Sequence, residues 1–309
     1  MDALETLLAD TRARGAVFCQ SLVDPPWGLR FADGNALTVV AMARGTGWVL
    51  TDGEPVRLEA GDVAIVRGPD PYVVANAPGT DPRIVVESSE ICTDATGGEL
   101  PDMLYMGPRV WGERPDAADV LLTGGYQLRE DVCQRLLDAL PRVLVVPAET
   151  CGAPVMALVL HEVGADRPGQ QAVLDRLLDL LLVSTLRAWF DAAGENAPGW
   201  YRALGDPVAG VALRLMHDEP ARPWTVAGLA ARAGVSRAGF ARRFAEVVGE
   251  PPMAYLTGLR VSLAADRLRR SDDTVGAIAR RVGYSDGYAL SVAFTRLRGV
   301  RPGEFRVGA

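Results

Sequence analysis

The side chains most able to do chemistry lie in two arginine-bearing stretches near the end of the chain. In the first, Ser236–Val248, the apolar residues Phe240, Phe244, Val247 and Val248 share one face at helical spacing. Arg237, Ala238, Ala241 and Arg242 share the other. A planar guanidinium can hold guanine O6 and N7 together, and alanines allow close approach and can touch a thymine methyl. Ser236 and Arg243 are better placed for phosphates, which position a helix without reading sequence. In the second stretch the outward residues include Tyr288, Ser291 and Val292, followed by Arg296 and Arg298. A single exposed arginine is ordinarily a solvated charge; several on one face point to a polyanion.

The other candidates are thiols and aromatics. Cys19 and Cys92 form a possible redox pair if the fold brings them together and lowers a thiol pKa; the alternative is that each, like Cys133 and Cys151, is a small hydrophobe. Trp27, Trp48, Tyr72 and Trp111 could line a small-ligand pocket or simply fill a core. The only histidines are His161 and His217, too few and too far apart for a transition-metal site, so no metal is expected. No nucleophile–base pair and no phosphate-cradling glycine loop is evident, so neither a cofactor nor catalysis is expected.

The elements that must position these groups fall into a tandem repeat. Leu229-Ala230 before Gly234 recurs as Ile278-Ala279 before Gly283, an offset of 49. Beyond Gly283 the offset is 50: Phe240 maps to Leu290, Phe244 to Phe294, Gly249 to Gly299, Pro252 to Pro302 and Tyr255 to Phe305. Two units of helix, glycine turn and helix read as two helix-turn-helix modules, joined by a helix over Pro252–Arg270. Thr225 and Ser236 are suited to cap the two helices of the first.

The rest of the chain differs in period and charge. From residue 15 to about 146, short strands alternate with Gly and Pro: Leu37–Ala43, Gly47–Thr51, Pro55–Leu58, Asp62–Arg67, Tyr72–Asn76 and Arg83–Glu87. Asp52-Gly53 predicts a hairpin with positive φ. Cys19 is read as following the first strand and Cys92 as lying past the Arg83–Glu87 strand. Helices are predicted at Asp131–Leu140, Ala153–Gly164 and Gln170–Ala193; the last has an apolar face wide enough for a homodimer contact or for packing on the strands. His217, in the last turn of a helix over Pro207–Asp218, is read as structural.

The fold class predicted is α+β: residues 1–150 a β-barrel sensor domain, 151–195 a helical hairpin, 196–205 a linker, and 206–309 an all-α domain. The net charge of −7 conceals an asymmetry. Residues 206–309 hold 16 Arg against 10 acidic residues, and residues 1–205 hold 16 against 29. Only the basic part is suited to nucleic acid. All basic residues are arginine, as a GC-rich genome would favour. No apolar run spans a bilayer and the acidic N-terminus lacks a leader pattern, so a cytoplasmic location without membrane contact is expected.

The block Trp224–Arg306 resembles the DNA-binding domain of AraC/XylS-family transcription regulators; Gly283-Tyr284-Ser285-Asp286, Phe294, Gly299, Pro302, Phe305 and Arg306 match that family's signature. Leu58-Glu59-Ala60-Gly61-Asp62-Val63 is similar to the turn-and-strand of the cupin barrel, with Tyr72 and Asn76 where metal-binding cupins carry histidines. Together with Gln171–Leu178, it resembles the sensor domain of an AraC subgroup that includes activators responding to reactive chlorine species. The resemblance implies an activator of double-stranded promoter DNA working with RNA polymerase, governed by an oxidant or small-molecule effector. It implies base contacts from Arg237, Ala238, Ala241, Arg242, Tyr288 and Ser291, at major-groove segments about 34 Å apart. Val292 stands where the family commonly has Arg, and Leu290 where it commonly has Phe, so the second module is expected to read sequence weakly. The competing reading is a metal-free cupin enzyme or ligand-binding protein with an appended helical domain.

Overall fold

The computed structural model describes Leu4 and residues 18–87, 91–98, 100, 104–107, 109–126, 131–150, 153–165 and 167–307. Cys151 lies outside them. The chain divides into two compact units, residues 11–128 with 140–192 and residues 1–10, 129–139 and 193–309; among the described residues the first is rich in strands and the second is helical.

The strand-rich unit runs β1 (Phe18–Val23), β2 (Gly28–Phe31), β3 (Leu37–Arg44), β4 (Gly47–Leu50), β5 (Val56–Leu58), β6 (Val63–Arg67), β7 (Tyr72–Ala75), β8 (Ile84–Val86), β9 (Cys92–Asp94), β10 (Leu104–Gly107), β11 (Val110–Gly112) and β12 (Asp119–Tyr126). After α1 (Asp131–Ala139) comes β13 (Val143–Val146), then α2 (Ala153–Val163) and α3 (Gln170–Ala193). One sheet has the order β10-β11-β1-β12-β3-β6-β13 and the other β5-β4-β7-β2-β8-β9. Val40, Met42, Ala64, Val66 and Leu121 from the first share a single core with Leu29, Phe31, Val49, Tyr72 and Val74 from the second. The sheets are not joined into the closed barrel expected; they face each other across that core.

Local chemistry explains the turns. Gly61 has φ +92°, and a Cβ there would stand 2.7 Å from the Ala148 methyl. Asp62 closes the turn, accepting from the Glu59 amide (2.8 Å) and the Ala148 amide (3.1 Å). The β4–β5 hairpin pairs Trp48 with Arg57 and Val49 with Val56. Its connection is long enough that Gly53 avoids the left-handed region, unlike the tight turn expected. Cys19 lies inside β1 rather than after it, and Cys92, past β8 as expected, opens the further strand β9.

The helical unit contains α1, then α4 (Gly199–Arg202), α5 (Ala209–Asp218), α6 (Val226–Arg232), α7 (Arg237–Val248), α8 (Pro252–Arg270), α9 (Val275–Val282), α10 (Gly287–Arg298) and α11 (Pro302–Val307). Residues 196–205 are not an open linker. Trp200 and Ala203 are buried, and a Cβ at Gly199 would press to 2.5 Å from the Val248 carbonyl. Two apolar anchors outweigh the breaker composition that suggested a tether. The helix α1 also belongs to this unit rather than to the sheets that flank it in sequence. Its Arg135 donates to Glu250 at 2.7 Å and lies 4.5 Å over the Tyr255 ring.

Candidate nucleic-acid interface

The repeat read from the sequence is a repeat of caps and cores. Thr225 accepts from the Gly228 amide at 3.0 Å and Ser236 from the Gly239 amide at 3.1 Å. In the second module Thr274 accepts from Ala277 at 3.2 Å and Asp286 from Ala289 at 2.8 Å. Each satisfies a backbone donor left over at a helix start. Gly249 and Gly299 close α7 and α10 in the left-handed conformation, with φ +92° and +75°. In the first core, Phe240 and Phe244 are fully buried; Tyr255 packs edge-on to Phe244 and shares a 2.7 Å hydrogen bond with His217 Nε2. In the second, Ile278, Val282, Leu290 and Phe294 pack with Val261, Ala265 and Leu268 of α8. Thus α8 contributes to both cores.

That packing fixes what each second helix presents. On α7, Arg237, Ala238 and Arg242 are exposed and Ala241 is half-buried. The Arg242 side chain is 78% exposed, with a loose ion pair to Glu246 at 3.7 Å. Ser236 is exposed at the helix start. Arg243 behaves differently: its Nε donates to Asp206 Oδ2 at 2.8 Å and its Nη2 lies 2.6 Å from the same oxygen. Asp206 in turn accepts from the Val208 and Ala209 amides at 2.9 and 2.8 Å, capping α5. Burial raises the Asp206 carboxyl pKa, but those amides and the Arg243 guanidinium outweigh it and hold the group below its ordinary value. The guanidinium expected to reach phosphate is therefore committed to the protein.

On α10, Tyr288 and Val292 are exposed, Ser291 is half-buried, and Thr295 and Arg296 are exposed. The Ser291 hydroxyl donates to the Gly287 carbonyl at 2.7 Å. Arg298 is half-buried, 3.4 Å from the Ser262 hydroxyl, which turns it away from the outward face where it was expected. An open groove of about 980 Å³ runs along α10 to α11, lined by Tyr288, Val292, Thr295, Arg296, Arg301 and Glu304 among others.

Arg260 of α8 joins the two modules, and nothing in the sequence singled it out. Its Nε donates to the Pro220 carbonyl and its Nη2 to that of Arg222, both at 2.7 Å, with the Tyr284 ring 5.8 Å away. A Cβ at Gly283 would lie 2.7 Å from the Ala221 carbonyl oxygen. The Gly283-Tyr284 pair thus seats the second module against the turn entering the first.

Of the four aromatics expected to line a pocket, two are buried in the core of the strand-rich unit. Trp27 is buried, its indole donating to Asp119 Oδ2 at 2.6 Å, and Tyr72 is buried and stacked on Phe31 with centroids 4.9 Å apart. Both are core residues, because facing sheets need bulk between them. Trp48 and Trp111 are half-buried. The Trp111 indole donates to Cys19 Sγ at 2.5 Å. Burial pushes the Cys19 thiol up to about 12, opposed by that hydrogen bond, with nearby Cys92 adding to the rise. Burial also raises Cys92. Both cysteines are free.

Outside the sheets, α3 buries Leu174, Leu178, Leu181, Leu182, Leu186 and Phe190. Val173 (45%) and Leu180 (47%) remain exposed, with Leu177 half-buried between them. Leu158 of α2 is also exposed. Among the described residues no helix is long and apolar enough to cross a membrane.

Comparison with known proteins gives two family matches, a cupin model over residues 2–191 and a helix-turn-helix domain model over residues 229–307. The chain is 34% identical over 312 residues to a putative AraC-like transcription regulator of Streptomyces lividans, covering 99% of this chain and 98% of that one. A protein of the same description from Streptomyces antibioticus is 32% identical, again over 99% and 98%. A shorter match, 34% over 139 residues, covers 45% of this chain and 49% of the RCS-specific HTH-type transcriptional activator RclR of Escherichia coli K12.

Proposed function

The chain belongs to the AraC-like transcription regulators, with a cupin N-terminal part and a DNA-binding helix-turn-helix part, and on that premise we propose that α7 is its principal reader of promoter sequence. The observation that carries this reading is the exposed face Arg237, Ala238 and Arg242, held outward by the burial of Phe240 and Phe244. Arg237 and Arg242 address guanine edges, the alanines admit the helix deeply, and Ser236 and Arg296 contact phosphates. Arg243 and Arg298 brace the modules instead. The protein acts as an activator through RNA polymerase and binds DNA as a homodimer, whose contact is the Val173–Leu177–Leu180 stripe of α3 with Leu158. That stripe has the i, i+4, i+7 spacing of a helix–helix seam.

The strand-rich unit supplies the input. The Escherichia coli relative is named RCS-specific, and the proximity of Cys19 and Cys92 supports oxidation of that pair as the signal. Burial disfavours the Cys19 thiolate, so the pair needs a strong oxidant or a prior opening of Trp111. A small ligand entering the sheet-on-sheet unit is the second reading.

Titrating the full chain against a selected duplex at several salt concentrations tests the DNA reading: affinity should fall steeply with salt. A salt-independent affinity, or none, contradicts it. For the input, DNA binding with and without hypochlorite is compared between wild type and the Cys19→Ser/Cys92→Ser double variant. An unchanged response in the variant rejects the thiol pair and leaves the ligand.

A further inference from the structure

The two reading helices are equivalent in position but opposite in chemistry. At the offset of 50, Arg237, Ala238, Ala241 and Arg242 of α7 correspond to Gly287, Tyr288, Ser291 and Val292 of α10. Where the first helix carries two guanidinium forks, the second carries none. Tyr288 is 81% exposed and Val292 54%, one turn apart, and exposed Thr295 continues the row toward Arg296. Single exposed apolar residues are ordinary, but these are i, i+4 neighbours on the one face that the caps and core of α10 turn outward. Ser291 has directed its hydroxyl hydrogen to the Gly287 carbonyl, which removes another donor from the face. What remains is mainly a valine isopropyl, a threonine methyl and the face of a tyrosine ring.

In the major groove the thymine C5-methyl is the one apolar group that a base pair offers. We propose that α10 reads thymine methyls, with Val292 and Tyr288 as the specificity-determining residues. The second half-site is then rich in A·T pairs, beside a first half-site read at guanines by α7. The surroundings fit this occupant. Arg296 and Arg301 line the same groove and supply the cations that a phosphate backbone requires on either side of an apolar strip. This assignment rests on the family's DNA-binding role and on the same outward orientation that exposes Arg242 on α7.

The test uses the full chain and synthetic duplexes derived from sites selected out of a randomised pool. Each thymidine in the half-site bound by α10 is replaced in turn by deoxyuridine, which deletes only the methyl. At one or two positions affinity should fall about three- to fivefold, the worth of one buried methyl. In Val292→Ala that loss should shrink toward nothing at one of them, and 5-methylcytosine in place of cytosine at the same step should restore part of the wild-type binding. Val292 is exposed, so the variant keeps its fold. Deoxyuridine without effect throughout that half-site, or with the same effect in Val292→Ala and Tyr288→Ala as in wild type, overturns the proposal. A parallel duplex with 7-deazaguanine in the other half-site separates the two readings. Loss there with deoxyuridine silent leaves the DNA-binding role of α7 standing and removes only this inference, whereas no loss in either half-site overturns both.

Discussion

Replacing Asp206 by alanine should destabilise the helical unit strongly while leaving DNA affinity intact. The carboxylate is 5% exposed and accepts from two backbone amides at the start of α5 and from Arg243 Nε, with Nη2 also close. Losing a helix N-cap costs about 1–2 kcal/mol. Losing a charge-assisted hydrogen bond costs about 1.5–3 kcal/mol, and the lower end applies because Arg243 is half exposed and can turn to water. The sum is about 2.5–3.5 kcal/mol, equivalent to a fall of about 10 °C or more in the melting of a unit of this size. Circular dichroism melts, with hydrogen exchange on peptides from α5 and α7, would measure it. Arg243→Ala should cost less, since Asp206 still caps α5, and the double variant should cost less than the sum. The folded carboxyl pKa is lowered, so this contribution is present above the unfolded value of about 3.9 and disappears as pH falls through the lower folded value. The wild-type advantage over Asp206→Ala should therefore narrow only below about pH 4. At a temperature where both proteins are folded, duplex affinity should be equal or higher in the variant, because Arg243 is released. A stability change under about 0.5 kcal/mol, or a loss of affinity in folded protein, would refute the assignment of Arg243 to the scaffold.

Gly283→Ala should destabilise the helical unit by more than Gly234→Ala does. Both glycines have positive φ, which costs about 1–2 kcal/mol for a side chain, but only the methyl at 283 would strike the Ala221 backbone, as nothing lies near 234. Equal melting temperatures would show that the Gly283 turn does not seat the modules. Leu180→Glu, at an exposed position of α3, should convert a dimer to a folded monomer in sedimentation velocity; a variant that stays dimeric would move the contact elsewhere.

Much of the helical unit was legible because its signals are local. Thr225, Ser236 and Asp286 cap through amides three residues on, and Gly249 and Gly299 end helices through their own backbone freedom, so sequence spacing alone locates α6 to α10 closely. Strands β3 to β8 were legible for a similar reason, through runs of Val, Leu and Ile between breakers. The strands β9, β10 and β11 read Cys-Thr-Asp, Leu-Tyr-Met-Gly and Val-Trp-Gly, without the run of branched apolar residues that marks the others. Pairings across long separations were not legible. Asp206 and Arg243 lie 37 residues apart, Trp27 and Asp119 lie 92 apart, and Arg135 and Glu250 lie 115 apart. The first turned an expected phosphate contact into a brace, the second made an expected pocket residue part of the core, and the third carried α1 into the helical unit. The outward residues of α7 and α10, Tyr288 and Val292 among them, were legible from the helical period; how far each is exposed required the packed helix.

If the Arg242 face of α7 reads bases, removing that one guanidinium changes which duplexes the protein prefers. Selecting binding sites from a randomised duplex pool with wild type and with Arg242→Ala tests it most directly. Arg242 is 78% exposed, so the variant should fold normally. Arg242→Ala should still bind, with the site otherwise retained, but lose its preference for guanine at one position, by about 1–3 kcal/mol of discrimination. Recovery of the same sites at the same preference by both proteins would contradict it.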